Sequence, residues 1–123
     1  MRFNTEEDKI RVLASQISVL LLDVDGVLTD GKLLFSSSGE ELKAFCSLDG
    51  QGIKMLLRAG VQVGIITGRT STIVKNRCRD LGITLVFQGQ EDKAAALNSI
   101  LAAQNFDLRR VAYVGDDLPD WPV

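Results

Sequence analysis

The sequence contains no histidine, two cysteines, two prolines and only 6% aromatic residues. Without histidine there is no imidazole base, no histidine-dependent nucleophilic triad and no histidine ligand for zinc. Any chemistry must run on carboxylates, lysine, hydroxyls and main-chain groups. Nothing in the spacing of Cys46 and Cys78 favours a disulfide, so they read as free thiols in a reducing compartment, and the cytoplasm is the expected location. No basic tract is present, which argues against a nucleic-acid partner. The longest apolar runs are strand-sized, which argues against a membrane partner. The opening MRFNTEEDK is acidic and lacks the apolar core of a secretion signal.

What is present suits a single α/β domain. The chain has 123 residues, 46% hydrophobic and 24% charged, with a net charge of −2. That is enough for one modest core. Residues 5–15 have the pattern of an amphipathic helix, with Thr5 as N-cap and Ile10, Leu13 and Ala14 on one face. Ile17–Leu22 reads as a buried strand. Residues 32–36 and 41–45 can pair as a hairpin across Ser37-Ser38-Gly39-Glu40. Gly50–Ala59 is predicted as a helix stopped by Gly60, with Asp49 as a candidate N-cap. Strand Val61–Ile66, helix Ser71–Leu81, strand Ile83–Phe87, helix Asp92–Ala103 and strand Val111–Val114 follow. This alternation predicts right-handed crossovers, a mainly parallel sheet and helices on both of its faces.

In such a sheet the loops at the carboxyl ends of strands form the site. Four loops qualify, and the unusual polar residues fall in them. Asp23 and Asp25 follow the first strand, and a hard divalent cation would relieve their repulsion. Asp23 is placed to act as a nucleophile on phosphorus, and Asp25 as its acid and base. Gly26 permits the tight turn that brings N–H groups towards phosphate. Thr67-Gly68-Arg69 follows the next long strand. There Thr67 either binds a phosphate oxygen or caps a helix, and Arg69 is suited to an anionic substrate group. Lys93 sits in the first turn of a helix, where a cation opposes the helix dipole, so its placement points to phosphate or to Asp23. In Gly115-Asp116-Asp117, Asp116 is the better direct metal ligand. Asp117 either binds metal through water or caps a helix. Asp49 and Gly50 are candidates for substrate positioning, with capping as the alternative. A GxGxxG dinucleotide loop and a Walker phosphate loop are both absent.

These spaced signatures, Asp23-Val24-Asp25-Gly26, Ile66-Thr67-Gly68-Arg69, Lys93 and Gly115-Asp116-Asp117, resemble those of the haloacid-dehalogenase-like phosphohydrolases. The resemblance implies a three-layer Rossmann-like sandwich. In it Asp23 is the nucleophile, Asp25 the acid/base, Thr67 a phosphate binder and Lys93 a stabilising cation. It also implies Mg2+ held by Asp23, Asp116 and the Asp25 carbonyl. Gly39–Phe45, Asp49–Ile53, Gln88-Gly89-Gln90 and Gly115–Val123 are similar to the minimal-cap branch that hydrolyses 3-deoxy-D-manno-octulosonate 8-phosphate in lipopolysaccharide synthesis. That branch implies a phosphorylated acidic sugar as substrate, a homotetramer, and the 32–45 hairpin in place of a cap domain. Where the family carries Asn and a basic residue before Asp49-Gly50, this chain has Cys46 and Leu48. Relatives continue past the Trp121-Pro122-Val123 position, so the expectation is a domain over residues 1–123 that is C-terminally incomplete. Other functions stay open on the motifs alone. They are a phosphatase for a sialic-acid-type 9-phosphate, a phosphotransferase, and a non-catalytic oligomerisation module of a sugar-nucleotide synthetase.

Overall fold

The computed structural model describes residues 6–123. Helix α1 (Glu7–Ser15) leads into strand β1 (Val19–Leu22). The short strands β2 (Leu34–Phe35) and β3 (Glu41–Leu42) follow, then α2 (Ser47–Arg58) and β4 (Gln62–Ile66). The chain continues through α3 (Thr72–Leu81), β5 (Leu85–Phe87), α4 (Lys93–Gln104) and β6 (Val111–Val114). Four strands form one parallel sheet in the order β5-β4-β1-β6. Strands β2 and β3 pair antiparallel outside it, with Leu34 opposite Leu42. Strand β1 is central, with β4 on one side and β6 on the other. The loops that leave β1, β4 and β6 therefore emerge side by side at one edge.

The apolar runs are continuous because both faces of the sheet are covered. Leu22, Val63 and Ile65 point to the face packed by Ile53 of α2 and by Val74, Cys78 and Leu81 of α3. Val19, Leu21 and Ile66 point to the other face, where Ala96, Leu97 and Ile100 of α4 meet them. The alternation along each strand is the period of two that a pleated backbone imposes. Gly64, beside Leu21 in the register, is a close-approach position. A Cβ there would lie 2.8 Å from Leu21 Cδ2 and 3.0 Å from Leu85 Cβ. Gly64→Ala is expected to cost about 1–3 kcal/mol through overpacking, read as a lower urea midpoint with an unchanged slope.

Three expectations need correction. Helix α1 forms, but none of its residues is buried, and Leu13 on the expected inward face is 58% exposed. Thr5, its expected cap, lies outside the described residues, and Glu6 holds the N-cap position. Helix α2 begins at Ser47, so Asp49 sits in its first turn rather than capping it. Gly50, inside the helix, is packed beneath the Arg77 guanidinium, 2.4 Å from where a Cβ would be. The hairpin strands are only two residues each. Elsewhere the signals match their elements. Helix α3 closes on left-handed Gly82, whose N–H donates to the Arg79 carbonyl. Asp92 caps α4 by accepting from the Ala95 N–H at 3.0 Å.

Both cysteines are free, Cys46 exposed and Cys78 buried. Burial pushes the Cys78 thiol up to about 11, against a smaller opposing pull from Arg77. At pH 8 the group is therefore protonated as well as hidden, and the thiolate is the reactive form. A thiol reagent is expected to label one cysteine per folded chain at pH 8, and two after unfolding in denaturant. Among the described residues no helix is long and apolar enough to cross a membrane.

Candidate active site

Asp23 continues the β1 ladder, donating its N–H to the Val114 carbonyl at 3.0 Å. Its carboxylate is buried at the sheet edge. One oxygen accepts from the Val24 N–H at 2.7 Å, and the other lies 3.1 Å from Lys93 Nζ. The chain then turns tightly, with the Val24 carbonyl accepting from the N–H groups of Val27, Leu28 and Thr29. Gly26 has φ +83°, and a Cβ on it would fall 1.6 Å from Asp116 Oδ2. The Asp-x-Asp-Gly turn and the β6 loop can thus meet only because residue 26 has no side chain.

Thr67 is buried at the end of β4. Its N–H donates to Phe87 and its carbonyl accepts from Gln90, both at 3.0 Å, which ties the β4 and β5 loops together. The cap of α3 is not supplied by Thr67. Instead the Gln88 side chain accepts from the Ser71 N–H at 2.8 Å. Lys93 opens α4 and is buried. Burial works against its charge, but its bonds to Asp120 and Asp23 outweigh that and hold the ammonium above its ordinary range. This explains a cation in the first turn of a helix, where the dipole alone disfavours it.

The β6 loop contributes three carboxylates with different surroundings. Asp117 accepts from the Leu118 N–H at 2.7 Å and caps a short 3-10 turn, Leu118–Asp120. Asp120 is buried and takes donors on both oxygens. Oδ1 accepts from Lys93 Nζ at 2.5 Å and from the Tyr113 hydroxyl. Oδ2 accepts from the N–H groups of Asp116 and Asp117 at 3.0 and 3.3 Å. Burial opposes its ionisation, yet these donors hold it below the usual carboxylate range. The Tyr113 hydroxyl is pushed upward by burial and by Asp120. Asp116 is exposed, and its carboxyl is raised by desolvation and then by the charges of Asp23, Asp120 and Asp117.

A depression of about 400 Å³ opens over these groups. Asp23, Asp25, Thr67, Gly68, Arg69, Lys93, Asp116 and Asp117 line it. Gly31, Gln90, Glu91 and Pro119, from the same loops, also line it. Asp49 and Gly50 do not, because they belong to the start of α2. Single oxygens of Asp23, Asp116 and Asp120 lie within 4.8 Å of each other. The Asp25 side chain turns instead to Lys43, at 2.6 Å, and Asp117 is occupied as a cap. Asp120 was the main omission. Its signal is its position three residues after Asp117, the spacing of a capping box, which the structure contains.

An all-oxygen donor set, with desolvation and then neighbouring carboxylate charges raising Asp116, suits a hard divalent cation such as Mg2+. A buried carboxylate beside an ammonium, on the wall of a recess that Thr67, Gly68 and Arg69 also line, suits nucleophilic phosphoryl transfer.

No protein-family model matches the chain. It is 50% identical over 110 residues to the 3-deoxy-D-manno-octulosonate 8-phosphate phosphatase of Escherichia coli K12, covering 89% of this chain and 58% of that protein. It is 46% identical over 116 residues to the Yersinia pestis phosphatase of the same name, covering 94% of this chain and 62% of that protein. The chain thus spans about three fifths of the length of these relatives. The Moraxella catarrhalis phosphatase, crystallised with magnesium, phosphate and the sugar acid, superposes with a TM-score of 0.91 at 42% identity. That superposition covers 94% of this chain and 66% of the Moraxella chain. With the fold, the four site loops and these likenesses in agreement, the chain belongs to the haloacid-dehalogenase-like phosphatases, in the branch that contains the 3-deoxy-D-manno-octulosonate 8-phosphate phosphatases.

Proposed function

We propose that the chain is the catalytic domain of a Mg2+-dependent phosphatase that releases phosphate from 3-deoxy-D-manno-octulosonate 8-phosphate. The observation that carries this is the Asp23 carboxylate, buried at the end of β1 and 3.1 Å from Lys93 Nζ, on the wall of the recess that Asp25 and Thr67 share. Asp23 attacks phosphorus in line with the sugar oxygen. Asp25 gives its proton to that oxygen as the P–O bond breaks, leaving a phosphoryl group on Asp23. Asp25 then takes a proton from water as the water displaces phosphate. Thr67 and the Gly68 N–H hold phosphate oxygens, Lys93, 3.1 Å from the Asp23 carboxylate, orients it, and Arg69 meets the anionic sugar. Asp23, Asp116 and the Asp25 main-chain carbonyl would hold Mg2+, with Asp117 reaching it through water. When bound, the ion supplies positive charge against the phosphoryl oxygens.

Parallel assays of Mg2+-dependent phosphate release on the 8-phosphate and on a sialic-acid-type 9-phosphate test the reading. Higher kcat/KM on the 8-phosphate supports it. Preference for the 9-phosphate reassigns the substrate, and no release from any phosphate ester supports a binding module.

The further proposals are a cytoplasmic location, in keeping with two free thiols, and a homotetramer built on the 32–45 hairpin. Leu33, Leu34, Phe35 and Leu42 are all about half exposed on that short hairpin, an apolar surface a second copy can cover. Phe35→Asp with Leu42→Asp is expected to shift the light-scattering mass to a smaller species.

A further inference from the structure

Asp25 is used twice in the proposed reaction, and the hairpin holds it. Lys43 follows β3, and its side chain is only 2% exposed, although Leu42 and Ala44 on either side are exposed. Its ammonium lies 2.6 Å from Asp25 Oδ1 and 2.9 Å from Glu41 Oε1. Glu41 lies in turn 3.3 Å from Arg69 Nη2. Arg69 Nε stands 3.9 Å from Asp25 Oδ2, beyond hydrogen-bond distance. Charges of alternating sign therefore link the hairpin to the β1 and β4 loops. A buried ammonium needs a partner, and Glu41, two residues away on the same hairpin, already provides one. The shorter contact nevertheless goes to Asp25, 18 residues distant.

We propose that Lys43 is a positioning residue for Asp25. Its ammonium fixes Oδ1 and leaves Oδ2 to exchange a proton, first with the departing sugar oxygen and then with water. The inference rests on the phosphatase reading above. The hairpin, which has two residues in each strand, thus acts on the chemistry without touching substrate.

The test is Lys43→Met, which keeps the apolar stem out to Cε and removes the ammonium. The specificity constant kcat/KM is measured on the sugar 8-phosphate, a poor leaving group, and on p-nitrophenyl phosphate, whose leaving group needs little protonation. Misplaced general acid catalysis is expected to lower kcat/KM on the sugar phosphate about 10- to 100-fold more than on the aryl phosphate. Equal losses on both substrates would reduce Lys43 to a stabilising residue and overturn the proposal. Hydrogen exchange of residues 34–45 provides a readout independent of turnover. Lys43→Met and Asp25→Asn are each expected to speed that exchange to a similar extent, with no further gain in the double variant. Unchanged exchange in Lys43→Met would overturn the inference even if the unmodified chain is an active phosphatase. Absence of turnover on both substrates by the unmodified chain would instead sink the phosphatase reading, while exchange still decides the Lys43–Asp25 contact.

Discussion

Asp23→Asn is expected to abolish phosphate release, lowering kcat by about four orders of magnitude or more, as loss of a covalent nucleophile does elsewhere. Asparagine has nearly the same shape, and its carbonyl oxygen can still accept from the Val24 N–H, as Asp23 now does at 2.7 Å. The fold should therefore persist, with far-UV circular dichroism unchanged. Some stability is lost, because Lys93 keeps Asp120 at 2.5 Å but loses the charge 3.1 Å away. Measured together, kcat and the unfolding midpoint separate the two effects. A chemical role for Asp23 requires a collapse of kcat far beyond any change in stability. A variant that retains a tenth of its activity would remove Asp23 from the nucleophile's place.

The second large effect belongs to Asp120. Asp120→Ala strips the partners from the Tyr113 hydroxyl and from the N–H groups of Asp116 and Asp117, and it removes one of the two carboxylates that neutralise Lys93. Breaking a buried ion pair from one side typically costs about 3–5 kcal/mol. Lys93 retains Asp23, so about 3 kcal/mol is the expected loss. Against a total of roughly 5–15 kcal/mol for a domain, that is a large fraction. It should appear as a fall of about 1–3 M in the urea midpoint. Asp120→Asn, which keeps one acceptor for the N–H groups, should lose less. Turnover should fall in both variants, since Asp120 holds the Asp116 backbone and orients Lys93 against Asp23. A midpoint unchanged in Asp120→Ala would show that the buried network contributes nothing to the fold.

The sequence was informative wherever local chemistry decided the outcome. Continuous apolar runs placed β1 and β4, because strands buried on both faces carry no polar alternation. The run of β6 placed it too, though its residues are only half-buried and Val114 is exposed. Gly60 marked the end of α2 through its left-handed φ. The clustering of Asp23, Thr67, Lys93 and Asp116 followed from parallel topology, which sends successive loops to one edge. What could not be read depended on tertiary partners. The start of α2 at Ser47 carries no side-chain cap bond that the sequence could have signalled. Helix α1 has an apolar face that nothing in the described chain buries. Lys43 reads as one more charge on a hairpin, and only the folded position of Asp25 shows why its ammonium is buried. Asp120 stood in plain view as the third carboxylate of Gly-Asp-Asp-Leu-Pro-Asp. Its four donors come from α4, β6 and its own loop, so its weight emerges only when they converge.

The central claim is a covalent phosphoryl group on Asp23. The most direct measurement is peptide mass spectrometry of Asp25→Asn quenched in acid during turnover of p-nitrophenyl phosphate with Mg2+. That leaving group departs without a general acid, whereas hydrolysis of the phosphorylated enzyme lacks its base, so the adduct should accumulate. The expected result is one phosphoryl mass on the peptide containing Asp23, absent in the Asp23→Asn, Asp25→Asn double variant. Phosphate release with no adduct on that peptide, or an adduct mapped to another residue, would contradict it.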